Sequence, residues 1–200
     1  MLRLCLTVSV LFGRQIAAKE EYHEGIDFCG DYGCPQPIEM IQFNNYDEME
    51  YLPVQWIVTE VNGMDIKSAL ATGLDKLQNY SWFLNAADTI VPVSAPWGLQ
   101  GYLVNGTIQQ KFGVFVVLVP ELTSPPEPTD PTIKIGMSHI GWFYVRTFDT
   151  KVDDQQYEGR VIEFLNDLEK DKQSFDRSFF YLVFFNTNGL MEVAFNKIGE

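Results

Sequence analysis

The stretch Trp56-Ile57-Val58-Thr59-Glu60-Val61, running through Asn62-Gly63-Met64 into Asp65 to Tyr80, decides the fold. Its first part is rich in β-branched and aromatic residues and reads as a strand. In its second part Ile66, Ala69, Leu70, Gly73, Leu77 and Tyr80 return at the 3.6-residue spacing of a helix, with Asp65 as N-cap. Half a chain later the same order returns: Trp142 to Phe148 reads as a strand and Asp154 to Glu169 as a helix. Trp56 and Phe143 stand 87 residues apart. The second helix has Tyr157, Val161, Phe164, Leu165 and Leu168 on one face, with Asp153 and Asp154 favourable at its start. One strand–helix unit is thus used twice around a shared core.

The segments around the two units read mostly as strands. Phe43 to Val61 holds two, interrupted at Leu52-Pro53, and Thr89 to Ser94 is a strand that Pro92 places at an edge or a bulge. Gly98 to Thr107 carries turn signals, and Phe112 to Val119 is a strand ended by Pro120. Four prolines within 123–131 make a surface loop. Phe179 to Phe185 is apolar throughout, so it is a strand covered on both faces. Asn186 to Gly189 turns the chain into Glu192 to Phe195, expected to close the sheet as its last strand.

A chain of 200 residues, 46% hydrophobic, suits one domain able to bury a core unaided. Its net charge of −13, with no basic run, sets aside nucleic acid and anionic membrane surfaces as partners. Residues 1–18 read as an export signal: Arg3, the apolar run Leu4 to Phe12, then Ala17-Ala18 before a cleavage point. That run is too short to span a bilayer, so membrane insertion is not expected. Cleavage there leaves 12 basic against 27 acidic residues. Residues 19–42 form an acidic lead-in containing Cys29 and Cys34, spaced to join in a local disulfide. Two sequons, at Asn79 and Asn105, agree with a secreted, glycosylated protein.

Chemistry-bearing motifs are scarce. There is no nucleophile elbow, zinc-protease helix or Walker loop, and only His23 and His139 are present, so a non-enzyme is expected. The acidic group Asp47-Glu48-Glu50 reads as a solvated face, because calcium needs oxygens converging from a turn. No metal site is expected. Leu165 to Asp171 lacks the small residue beside an aspartate that a groove-binding regulator helix requires.

Taken in order, several pieces resemble the SOUL family of haem-binding proteins. They are Gln55-Trp56-Ile57-Val58, Met64-Asp65 through Ser68-Ala69 and Thr72-Gly73 to Lys76-Leu77, Val91-Pro92-Val93-Ser94, Val119-Pro120 with Pro125-Pro126-Glu127-Pro128, Val145 to Asp149, and Glu192-Val193. Their order and spacing, not any one piece, carry the resemblance, which covers about Tyr46 to Asn196. It implies an α+β fold over 43–200, a distorted eight-stranded β-barrel with two flanking helices related by a pseudo-twofold. It also implies haem or porphyrin binding in a shallow apolar groove beside the first helix, with no cofactor required for folding. On this chain the groove residues are Ala71, Leu74, Asp75 and Gln78, with Ile90 and Val91 opposite.

The chain departs from that pattern in several ways. Glu50 stands where some relatives carry a histidine. Only Lys67 and Lys76 are near the helix face for propionates, the Asn79 sequon neighbours Asp75, and the loop Asn186 to Leu190 is short and not basic. Two functions follow: a secreted carrier or scavenger of a small, planar, apolar ligand, or an extracellular interaction or matrix protein that keeps the fold without haem.

Overall fold

The computed structural model describes residues 35–149, 157–185 and 189–199. In these the chain is mostly antiparallel sheet with two helices. The strands are β1 (Glu39–Gln42), β2 (Asp47–Tyr51), β3 (Gln55–Asn62), β4 (Val93–Val104), β5 (Thr107–Leu118), β6 (Ile133–Met137), β7 (Gly141–Asp149), β8 (Phe179–Phe185) and β9 (Leu190–Asn196). Helix α1 (Ile66–Ser81) follows β3, and α2 (Tyr157–Lys170) lies between β7 and β8.

All nine described strands form one sheet in the order β1-β2-β7-β9-β8-β4-β5-β3-β6. β2 and β3 stand six steps apart in that order, about 29 Å in a flat sheet. Yet only Leu52-Pro53-Val54 joins them, a link that spans at most ~15 Å. The sheet must therefore curl until its two ends meet. It does not close into the expected barrel. Both edges of β2 are taken by β1 and β7, and both edges of β3 by β5 and β6, so the two have no free edge for each other. The described residues form nine strands, where eight were expected. β9, expected to finish the sheet, instead sits inside it between β7 and β8.

Alternation along the strands sorts side chains to two faces. The outer face carries Ile57 and Val61 of β3, Leu99 of β4, Phe112 and Val114 of β5, Leu182 of β8 and Val193 and Phe195 of β9. The helices cover it. α1 buries the predicted stripe of Ile66, Ala69, Leu70, Gly73, Leu77 and Tyr80, and the Asp65 side chain accepts the Ser68 N–H at 2.8 Å as its cap. Gly73 is required where α1 crosses β5, since any Cβ there would run into the Val114 side chain. α2 buries Val161, Phe164, Leu165 and Leu168 against the other half of the sheet, as its spacing predicts. The concave face is lined by Met49, Phe115, Phe143, Val145, Tyr181 and Ala194, with Tyr51, Trp56, Val58, Phe179 and Val183 around them. β8 serves both cores, as its unbroken apolar run demands.

Gly98 to Thr107 is a strand for most of its length rather than a turn. Gly98 is there because a Cβ would meet the Leu182 carbonyl and the Phe115 ring, and Gly101 because one would meet the Phe180 ring. The turn is confined to Asn105-Gly106, both at positive φ (50° and 74°), which suits a tight hairpin. The strand expected at Thr89 to Ser94 is reduced to one bridge, Trp82 to Ile90, before β4 begins at Val93, and the irregularity in β4 falls between Ser94 and Trp97.

Candidate functional site

Two apolar features stand apart from the core, one outside the sheet and one within its curl. The outer feature begins on α1, where Ala71, Asp75 and Gln78 are exposed and Leu74 is half-buried. Residues 71, 74, 75 and 78 share one face of a helix, and the same spacing leads to Trp82. Trp82 ends α1, its N–H donating to the carbonyls of Gln78 (2.9 Å) and Asn79 (3.2 Å). It forms a bridge with Ile90, and both side chains are 64% exposed. Phe83 and Leu84 are also exposed, so four large apolar residues form a ledge beyond the end of α1.

This ledge is held from beneath. Asn85 is buried; its amide nitrogen donates to the carbonyls of Tyr80 (3.0 Å) and Thr89 (2.7 Å), and its amide oxygen accepts the N–H of Ala87 at 3.2 Å. The proline-rich loop props the other side: the Tyr80 hydroxyl donates to the Pro126 carbonyl at 2.7 Å and the Ala86 N–H to the Glu127 carbonyl at 2.8 Å. Large apolar side chains are thus displayed on ordered backbone, the arrangement expected of a binding surface. Of the expected groove residues, Ala71, Leu74, Asp75 and Gln78 share the face and Ile90 joins it through Trp82. Val91 turns into the core and is 2% exposed. Trp82 went unassigned in the sequence, although the continued spacing from Gln78 pointed to it. Lys67 is exposed near the start of α1, Lys76 reaches the Thr132 hydroxyl at 3.4 Å, and Asn79 is exposed.

The inner feature is a cavity of about 110 Å³ within the curl of the sheet. Trp56, Phe115, Phe143, Val145, Tyr181 and Val183 make its walls, and Glu192 is the one carboxylate in its described lining. His139 is at its border, stacked on Phe179 with ring centroids 5.8 Å apart. Burial, reinforced by the charge of Asp47, pushes the Glu192 carboxyl up to about 8. Burial also raises the Tyr181 phenol. A wider hollow of about 720 Å³, lined by Pro53, Val54, Pro120, Leu122 and Met137 among others, has no aromatic ring and no basic side chain in its described lining.

The remaining expected residues scatter. Asn105 occupies the exposed β4–β5 turn. Asp47, Glu48 and Glu50 do not form a solvated face throughout: Glu48 is buried and ion-paired with Lys197. No cluster of three metal-ligating side chains occurs among the described residues, and no described helix is long and apolar enough to cross a membrane. The export signal, Cys29, Cys34 and His23 lie outside the described residues.

A sequence profile described as "SOUL heme-binding protein" matches residues 34–196. The chain belongs to the SOUL heme-binding family. Among SOUL-related sequences, heme-binding protein 2 of Homo sapiens is 24% identical over 155 residues, spanning 76% of this chain and 73% of that one. Its counterpart in Mus musculus is 24% identical over 151 residues, spanning 74% and 70%. Among solved structures, a protein from Listeria innocua described as a hydrolase superposes at a TM-score of 0.49 with 9% identity, over 79% of this chain and 94% of the other. That likeness is too loose to bear on this SOUL protein's activity.

Proposed function

We propose that this chain is a secreted, non-enzymatic tetrapyrrole-binding protein that seats its ligand on the outer face of α1, against the ledge. One observation carries the reading within a family named for haem binding: Trp82 continues the Ala71–Leu74–Gln78 face and stays exposed on backbone fixed by Asn85. A flat macrocycle needs an open apolar face and an aromatic wall, and the ledge offers both. The inner cavity is the wrong size. A cavity of about 150 Å³ holds benzene, and this one is smaller, so it cannot enclose a porphyrin.

Among the described residues no histidine or cysteine stands on this face, and Lys67 and Lys76 are the cations on the helix itself. The face therefore suits recognition of the ring and its carboxylates rather than of iron. Iron-free protoporphyrin should bind about as well as haemin.

The test is a titration of both ligands into the secreted protein, before and after removal of the Asn79 glycan, followed by the porphyrin absorption band and tryptophan quenching. Saturation at one equivalent in the micromolar range supports the reading, and a Trp82→Ala variant should weaken it. Non-saturating uptake of both ligands in both forms overturns it. The exposed Trp82-Phe83-Leu84 run would then favour the second reading, an extracellular interaction or matrix protein whose partner covers the ledge.

A further inference from the structure

The concave face holds a buried carboxylate that neither the fold nor the ledge explains. Glu192 is 5% exposed, pairs across the sheet with Thr147 of β7 and Val183 of β8, and lines the inner cavity. Among the described residues no donor hydrogen-bonds its carboxyl. Cations do exist in the neighbouring backbone, but they are committed to the other face. Arg146 of β7 reaches Asp167 at 2.8 Å and Glu163 at 3.7 Å on α2, and Lys197 is ion-paired with Glu48. Among the described residues, the titratable groups on the concave side are Asp47 and Tyr51 of β2, Asp149 of β7, Tyr181 of β8 and, at the border, His139. None of these supplies a fixed positive charge.

An unpaired buried carboxylate is costly, and a residue of the same shape without charge would pack there at less cost. Once ionised, the carboxyl has no counter-ion among the described residues, and the walls of the site fit a particular kind. Trp56 and Phe115 lie 5.0 Å apart between centroids, Phe143 and Tyr181 6.0 Å, and Trp56 and Tyr181 6.5 Å, so several rings converge on one space. Aromatic rings beside a carboxylate favour a poorly hydrated organic cation over a metal ion, which would need many oxygens.

We infer that the inner cavity binds a small organic ammonium ion, held between the Glu192 carboxylate and the rings of Trp56, Phe115, Phe143 and Tyr181. The volume limits the buried head group to roughly the size of benzene or less. This site is on the opposite side of the sheet from the ledge and does not depend on tetrapyrrole binding. Because Glu192 retains its proton to about pH 8, the cation must displace that proton. Affinity therefore rises with pH, and binding releases a proton.

The full-length chain would be titrated with tetramethylammonium at about pH 6 and about pH 9 by calorimetry, with tert-butanol as an uncharged molecule of similar shape. We expect saturable binding at the higher pH, at least tenfold tighter than at the lower, with tert-butanol at least tenfold weaker. Glu192→Gln should abolish the preference for the cation, and Ala194→Leu, which fills the cavity, should abolish binding of both probes. Equal binding of the two probes by the unmodified chain, affinity that does not rise with pH, or no saturation at either pH overturns the inference. So does a cooperatively melting Glu192→Gln variant that binds tetramethylammonium as the parent does. Should that variant not fold, the probe and pH comparisons on the unmodified chain decide the matter alone.

Discussion

The ledge beyond α1 and the cavity inside the sheet both present apolar surface, but they are built in opposite ways. The ledge is open and flat, and its exposed rings are carried by a loop whose buried polar group, Asn85, is fully engaged. The cavity is recessed and small, its rings are carried by strands, and neither Glu192 nor the buried Tyr181 hydroxyl in its lining has a hydrogen-bond partner among the described residues. A satisfied polar group under an exposed surface fixes the shape of that surface. An unsatisfied one beside a void marks what the void is missing. The two surfaces thus differ in kind: one is set by shape at the end of α1, the other by an ionisable group inside the sheet.

Substitutions should separate the two, the largest effect coming from the shared scaffold. Gly73→Leu pushes α1 off Val114 and should cost about 3 kcal/mol or more. Thermal melting would show it, and the loss of α1 seating should abolish tetrapyrrole uptake. Glu192→Gln should act with the opposite sign. The folded carboxyl titrates at about 8 and the unfolded one near 4.5, so between those values the folded state binds more protons. Stability therefore falls as pH rises through that window. The variant should match the parent below pH 4.5 and exceed it by about 3 kcal/mol at neutral pH, measured by denaturant melts across pH.

Asn85→Ala leaves the carbonyls of Tyr80 and Thr89 without their donor and should cost about 2 kcal/mol. Unlike Glu192→Gln it should also weaken tetrapyrrole binding, because the ledge loses its support. Trp82→Ala is the mildest for the fold, with stability changed by less than about 0.5 kcal/mol. It should nevertheless lower tetrapyrrole affinity by about tenfold, read by fluorescence titration. If Trp82→Ala instead abolished ammonium binding and spared porphyrin, the assignment of the two sites would be reversed.

Local periodicity was the readable part of this sequence. The α1 stripe, its Asp65 cap and the Val161–Leu168 face follow from spacing alone, because a helix closes its own hydrogen bonds. Strand neighbours were not readable, since a strand's partner lies elsewhere in the chain. β9 accordingly looked terminal in the sheet and proved internal. Gly98 and Gly101 looked like turn residues, when their lack of a side chain answers to Leu182, Phe115 and Phe180 on other strands. Glu192 fitted the family pattern in the sequence, but nothing there distinguished a buried acid from the many exposed ones.

The internal position of β9 bears on how the chain is made. β7 and β8 meet only through β9, so until Leu190–Asn196 is available each presents an unpaired edge. A nascent chain cannot complete the sheet while those residues are still being synthesised. The strand made last among those described is the wedge that joins the two parts, and until it arrives the exposed edges of β7 and β8 are open to mispairing.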